Sequence, residues 1–119
     1  MNESIARIDD PVIAINIANS YRHGMSNVAL YHATRGTWRL SRQRAERGRY
    51  AFAIFRGVIR EVYEIYRWHK AGDTPGSWGP APGRYEFTGR VAGDGTRDKY
   101  LGKRLPELHG QNPIRYFNC

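Results

Sequence analysis

Between Tyr50 and Trp68 the chain reads YAFAIFRGVIREVYEIYRW, and few folds accept such a stretch. Its first six residues, Tyr50–Phe55, are apolar on both alternating faces. A strand made of them must be covered on both sides, as in the middle of a sheet. Arg56-Gly57 then supplies a two-residue turn, and Val58–Trp68 returns rich in β-branched and aromatic residues. So tight a turn fixes the register, with Phe55 opposite Val58, Ile54 opposite Ile59 and Phe52 opposite Glu61. Ile59, Val62, Tyr63 and Tyr66 also fall at helical spacing; the residue types and the glycine turn favour the strand.

Weaker signals surround this hairpin. Residues 1–10 read as a loose lead-in ending at Pro11, and Val12–Ala18 as a first strand, with Ile13, Ile17 and Tyr21 leaving a helix open. Ser26 suits the N-cap of a short helix that Gly36 stops, and Ser41 the cap of a second, arginine-rich one ending at Gly48. Residues 71–83 form a long Gly/Pro loop with Trp78 at its middle; such loops in small domains are usually functional or disordered. Arg84–Ala92 reads as a strand, Gly93-Asp94-Gly95 as a hairpin turn and Thr96–Leu101 as a charged edge strand. Leu105–His109 reads as a helical turn, and Ile114–Phe117 as a last strand. GRYAF at Gly48–Phe52 and GRYEF at Gly83–Phe87 echo each other without making a repeat. The expectation is one domain over residues 1–119. Its class is α+β, with a small, curved, mostly antiparallel sheet or partial β-barrel of about five or six strands and two short helices.

Composition narrows the function classes. With 40% apolar and 25% charged residues, the 119-residue chain is neither a disordered tail nor a membrane span. Cys119 is its one cysteine, which excludes an internal disulfide and a cysteine-based zinc site, and the expected setting is the reducing cytoplasm. The opening residues lack a basic-then-apolar leader, and no apolar run is long enough to span a membrane.

The net charge is +8, and 16 of the 19 cations are arginine. Nine arginines but only three acids lie between Arg35 and Arg67. Guanidinium grips phosphate with paired hydrogen bonds and stacks on flat rings, so clustered arginine suits a phosphate footprint; charge runs are also ordinary solvated faces. Aromatic neighbours recur beside it, as in Trp38-Arg39, Arg49-Tyr50, Phe55-Arg56 and Tyr66-Arg67-Trp68. Rings for bases and cations for phosphates are what a single-strand surface needs, although neighbours on a strand face opposite ways.

The helix with Ser41 and Ala45, the YAFAIFRGVIREVYEIYRW hairpin, the Gly/Pro loop and GRYEFTGRVA follow in an order that resembles the PUA-like superfamily, which includes the EVE, ASCH and SRA domains. The likeness covers Ser26 to Ala92. It implies a β-barrel whose cleft receives RNA, or a modified or flipped base, between aromatic side chains. LYHATRGTW at Leu30–Trp38 and NPIRYFN at Asn112–Asn118 resemble an uncharacterised bacterial domain to which no activity attaches.

Tyr31–Arg39 is the densest polar and aromatic segment. His32 and Arg35 share a helical face, Gly36 lets the chain turn, and Trp38 and Arg39 follow. These four, with Trp78, Arg42 and Arg49, are the candidate nucleic-acid contacts. The alternative is a helix end whose cations complement the dipole, with Trp38 in the core. Glu61, on an apolar face, demands a partner, for which an arginine is expected. The four histidines show no metal-ligand spacing, and there is no phosphate loop or nucleophile motif. The expected function is therefore a non-catalytic nucleic-acid-binding module, without cofactor or metal, that takes RNA or DNA through an unpaired or modified base. One alternative is an accessory domain whose arginine face meets an acidic protein. Another is a small metal-independent ribonuclease using Glu61, His32 and Arg35.

Overall fold

The computed structural model describes residues 4–106 and 112–119. The strands are β1 (Val12–Asn16), β2 (Tyr50–Phe55), β3 (Val58–Lys70), β4 (Tyr85–Val91) and β5 (Ile114–Phe117), and the helices are α1 (Asn27–Arg35), α2 (Arg42–Ala45) and α3 (Asp94–Tyr100). The strands form one open sheet in the order β4-β3-β2-β1-β5. It is an α+β fold with a mixed sheet. Three pairings are antiparallel, but β1 runs parallel to β2. The chain between them carries α1 and α2, the long crossover a parallel pair requires.

The central strand is where its sequence places it. Tyr50, Phe52 and Ile54 join the apolar cluster with Tyr100 of α3, while Ala51 and Ala53 join the opposite cluster with Leu30 of α1 and Ala45 of α2. Helices thus cover both faces, and a strand apolar on both sides is the solution. Ser26 caps α1 by accepting from the Ala29 N–H at 3.1 Å, and Ser41 caps α2 through Arg44.

Three local expectations are corrected. The hairpin starts as expected, with Phe55 opposite Val58 and Ile54 opposite Ile59, but a bulge then shifts the register. Glu61 lies opposite Ala53, and Phe52 faces Val62. Arg60 is the extra residue, and its guanidinium donates twice to the Phe55 carbonyl, at 3.3 and 3.1 Å. Thr96–Leu101 is not an edge strand, since most of it lies in α3. Apolar periodicity gave no sign of a helix there because Tyr100 alone is buried; Asp94 in the first turn and Arg97 and Lys99 in the last complement the dipole. Finally, Ser4–Asp10 is tied down rather than loose. Ala6 N–H donates to the Arg104 carbonyl, Arg104 N–H to that of Ser4, and Lys99 pairs with Asp9 at 2.5 Å and Asp10 at 3.1 Å. The Tyr100 hydroxyl donates to both aspartates; burial and these carboxylates push its pKa up to about 12. Of the turn expected at Leu105–His109, residues 107–109 lie outside the described residues.

Gly89, opposite Ile65 beside a second irregularity in β3, has no room for a side chain: a Cβ would stand 2.2 Å from the Glu64 carbonyl oxygen. Backbone held in a sheet cannot yield that much, so Gly89→Ala is expected to cost at least about 2 kcal/mol. A urea melt checks it.

Candidate nucleic-acid interface

Arg35 and Glu86 form the most buried polar arrangement, their side chains only 5% and 1% exposed and 3.5 Å apart. Arg35 leaves the last turn of α1, passes the edge strand β4 and donates from Nε to the Phe87 carbonyl at 3.2 Å. Close packing permits this, since Gly36 lies against the Cβ of Glu86. Glu86 accepts from the Gly72 and Thr74 N–H groups at 3.0 and 3.2 Å, from the Ser77 hydroxyl at 2.5 Å and from the Thr74 hydroxyl. The Gly/Pro loop is therefore wound around one carboxylate. Burial pushes the Glu86 pKa up, but Ser77, Thr74, Gly72 and Arg35 outweigh it and hold the group below its ordinary value. Stability from Glu86 is then complete above the unfolded-state value near 4.5 and is lost as pH falls through the lower folded-state value. Urea midpoints between pH 2 and 6 are expected to fall more steeply for the native chain than for Glu86→Gln.

This arrangement redistributes the expected site. His32 and Trp78 do meet: their rings stack with centroids 4.0 Å apart, and the Trp78 indole donates to the His32 carbonyl at 3.1 Å. Arg35 borders a hollow of about 240 Å³ together with Tyr31, His32 and Thr74, with its Nε engaged by the Phe87 carbonyl and one terminal nitrogen by Thr74 and Glu86. Trp38 stands apart from His32. Its indole donates to the Thr34 carbonyl at 2.8 Å, and its backbone pairs with Tyr85 on the β4 edge. Arg42 bonds the Trp68 carbonyl and pairs with Glu46 at 3.5 Å; Arg39 and Arg49 are exposed.

Some of the interleaved rings and cations meet one another. Arg44 lies over Tyr116 at 4.1 Å and donates twice to the Cys119 carbonyl, and Arg60 lies over Tyr21 and Phe55. Part of the arginine excess is thus internal structure. Arg39, Arg47, Arg49, Arg56 and Arg67 remain on the surface.

Glu61 has the arginine partner its position demanded. Arg97 of α3 grips it with two bonds, at 2.8 and 3.2 Å. That pair lies on the α3 face, whereas His32 and Arg35 belong to α1 on the other face, so the ribonuclease set does not converge. His69 bonds the Thr88 hydroxyl, and burial, then Arg67, holds its pKa below the usual histidine value. Among the described residues no three metal-ligating side chains gather. No helix among them is long and apolar enough to cross a membrane.

A further opening lies elsewhere, where β1 and β2 both end. It is a cleft of about 530 Å³ lined by Asn16, Phe55, Arg56, Leu105, Asn112 and Arg115, among others. The carboxyl ends of neighbouring parallel strands are a common place for a ligand crevice, and this volume lies within the range of about 300–1,000 Å³ typical of ligand sites. Asn16, Ala18 and Pro113 also border a smaller hollow of about 250 Å³ that Trp38 flanks. Trp38 thereby joins a set that sequence reading did not assemble.

Arg56 stands on the cleft with φ +50°, followed by Gly57 at +75°. Two successive left-handed residues suit a type I′ turn, where asparagine or glycine is the inexpensive choice and arginine is not. A clue lay in the sequence, since the pair Arg56-Gly57 replaces the usual Asn-Gly. The cleft itself had none, because it joins residues 16, 56 and 115 through β1 pairing with both β2 and β5. The chain matches no family model, no curated protein and no solved structure.

Proposed function

We propose that this chain is a non-catalytic nucleic-acid-binding module that seats an unpaired or modified base in the cleft at the ends of β1 and β2. The observation that carries this reading is the makeup of the cleft and its rim. Arg56 and Arg115 bring positive charge, Asn16 and Asn112 bring amides, and Phe55 and Trp38 bring rings. Exposed Arg47, Arg49 and Arg67 lie beyond the Tyr50–Glu64 end of the β2–β3 pair, away from the cleft, so the exposed charge at the cleft itself is that of Arg56. Keeping a guanidinium at a turn position that disfavours it also supports a role for Arg56 beyond folding.

Fluorescence anisotropy with labelled ten-nucleotide RNA and DNA single strands tests the reading. Affinity is expected to fall steeply as salt rises from about 50 to 200 mM, through counterion release. Trp38→Ala is expected to weaken binding more than Arg47→Ala, because a stacked ring contributes about 1–3 kcal/mol and one exposed cation less. Absence of binding to either nucleic acid at about 50 mM salt would remove the proposal. Specific capture of an acidic protein would then favour the accessory-domain alternative.

A further inference from the structure

Strand β3 outruns β2 at the end away from the cleft, and cations gather there. β3 has 13 residues and β2 six. Their pairing ends with Tyr50 opposite Glu64, and just beyond it the Ile65 N–H donates to the Arg49 carbonyl at 2.9 Å. Arg42 of α2 then reaches across to the Trp68 carbonyl at 3.3 Å. Between this part of β3 and the segment leading from α2 into β2 lies a hollow of about 160 Å³, walled by Arg42, Gly48, Tyr66 and Arg67 among others. Whole-ligand pockets begin near 300 Å³, so the hollow suits one group of a larger molecule. Tyr66 is an extra residue of β3, since Ile65 lies opposite Gly89 and Arg67 opposite Thr88. Bulges re-aim side chains, and this ring is 61% exposed.

The charge there is in surplus. Two carboxylates stand close by, and each has an arginine: Glu46 pairs with Arg42 at 3.5 Å and Glu64 with Arg90 at 3.0 Å. Arg47 and Arg49 flank Gly48, and with Arg67 they add three exposed cations around the hollow. Guanidinium forks grip phosphate, and an exposed ring among them offers a face to a base, which an acidic protein does not need. We infer that this end of the β2–β3 pair is a second contact for the strand, where Arg47, Arg49 and Arg67 take backbone phosphates and Tyr66 stacks on a base. This inference rests on the nucleic-acid reading above. The six residues of β2, at about 3.3 Å each, set the two contacts about 20 Å apart. A stacked strand rises about 3.4 Å per nucleotide, so one that fills both contacts needs at least about six nucleotides.

Labelled single strands of three and ten nucleotides, titrated by anisotropy at about 150 mM salt, separate the two contacts. The combined variant Arg47→Gln, Arg49→Gln, Arg67→Gln is expected to weaken the ten-mer about tenfold or more. It is also expected to reduce the slope of log affinity against log salt by about 2, at about 0.7 per phosphate contact. The three-mer is expected to stay within about twofold, because charges about 20 Å away are screened over a Debye length near 8 Å. Tyr66→Ala is expected to weaken the ten-mer about fivefold or more with the slope unchanged. Arg56→Asn, at the cleft, is expected to weaken both lengths. All four far-end side chains are exposed, so circular-dichroism melts of these variants are expected to stay close to that of the native chain. Equal losses for both lengths in the triple variant would overturn the inference. No loss for either would overturn it too, and would leave the cleft reading standing if Arg56→Asn still weakens binding. Displacement of the ten-mer by a polyglutamate peptide as readily as by unlabelled strand would overturn it in favour of an acidic protein. No binding of either strand by the native chain would remove both readings.

Discussion

Glu86→Ala is expected to cost about 3–5 kcal/mol, enough to lower the melting temperature by more than about 10 °C. The size follows from what stays behind. Arg35 is 4% exposed and ion-paired with Glu86, and without the carboxylate its charge is buried without compensation. Thr74 loses the acceptor for its N–H group, Gly72 is left with the Ser77 hydroxyl oxygen alone, and the Ser77 hydroxyl loses its own acceptor. The loop around Glu86 then has nothing at its centre. Arg35→Met alone is expected to be similarly harmful, whereas Arg35→Met with Glu86→Leu is expected to recover much of the loss, since apolar replacement of both partners removes the uncompensated charge. A double-mutant cycle by urea denaturation measures this coupling. Additive single effects would mean that the pair does not act as a unit. The Glu61–Arg97 pair serves as the comparison: Arg97 is about one-third exposed, so removing it is expected to cost less.

The second large effect is one of opposite signs. Arg56→Asn is expected to raise stability by up to about 1 kcal/mol, because asparagine tolerates the left-handed conformation of that turn better than arginine. The same change is expected to weaken single-strand binding about tenfold or more, the loss typical of a charged hydrogen-bonding group. A residue kept only for folding would not give this pair of outcomes. Thermal melts and anisotropy titrations on one preparation read both. Higher stability with unchanged binding would place Arg56 outside the site.

Much of the fold was legible because its strongest signals are local. The two-sided apolarity of Tyr50–Phe55, the serine caps at Ser26 and Ser41 and the start of the hairpin at Arg56-Gly57 act within a few residues, and the structure repeats them. What escaped depends on contacts distant in sequence. The parallel pairing of β1 with β2 is decided by where α1 and α2 pack, and the bulge at Arg60 by seating Val62 against Phe52. Glu86 looked ordinary between Tyr85 and Phe87, since nothing local shows that Thr74 and Ser77 close over it and Arg35 reaches it.

For the same reason the candidate site was legible in kind but not in place. Arginine beside aromatic residues suggested a binding surface, yet composition cannot separate a guanidinium committed to a carboxylate or carbonyl from one left on the surface. Arg35, Arg42 and Arg44 are of the first kind, and Arg39, Arg49 and Arg56 of the second in lacking such a partner among the described contacts. His32 and Trp78 came together as expected, but against each other, with Arg35 turned to Glu86. Trp38, expected beside them, borders the hollow that adjoins the cleft of Arg56 and Arg115.

Amide chemical-shift mapping on the isotope-labelled protein, titrated with a short single strand of mixed sequence at about 50 mM salt, tests the central claim most directly. The largest shifts are expected at Asn16, Ala18, Arg56, Gly57 and Arg115, with Trp38 among the affected indole signals. Shifts confined to His32, Trp78 and the loop around them, or none at saturating strand, would contradict it.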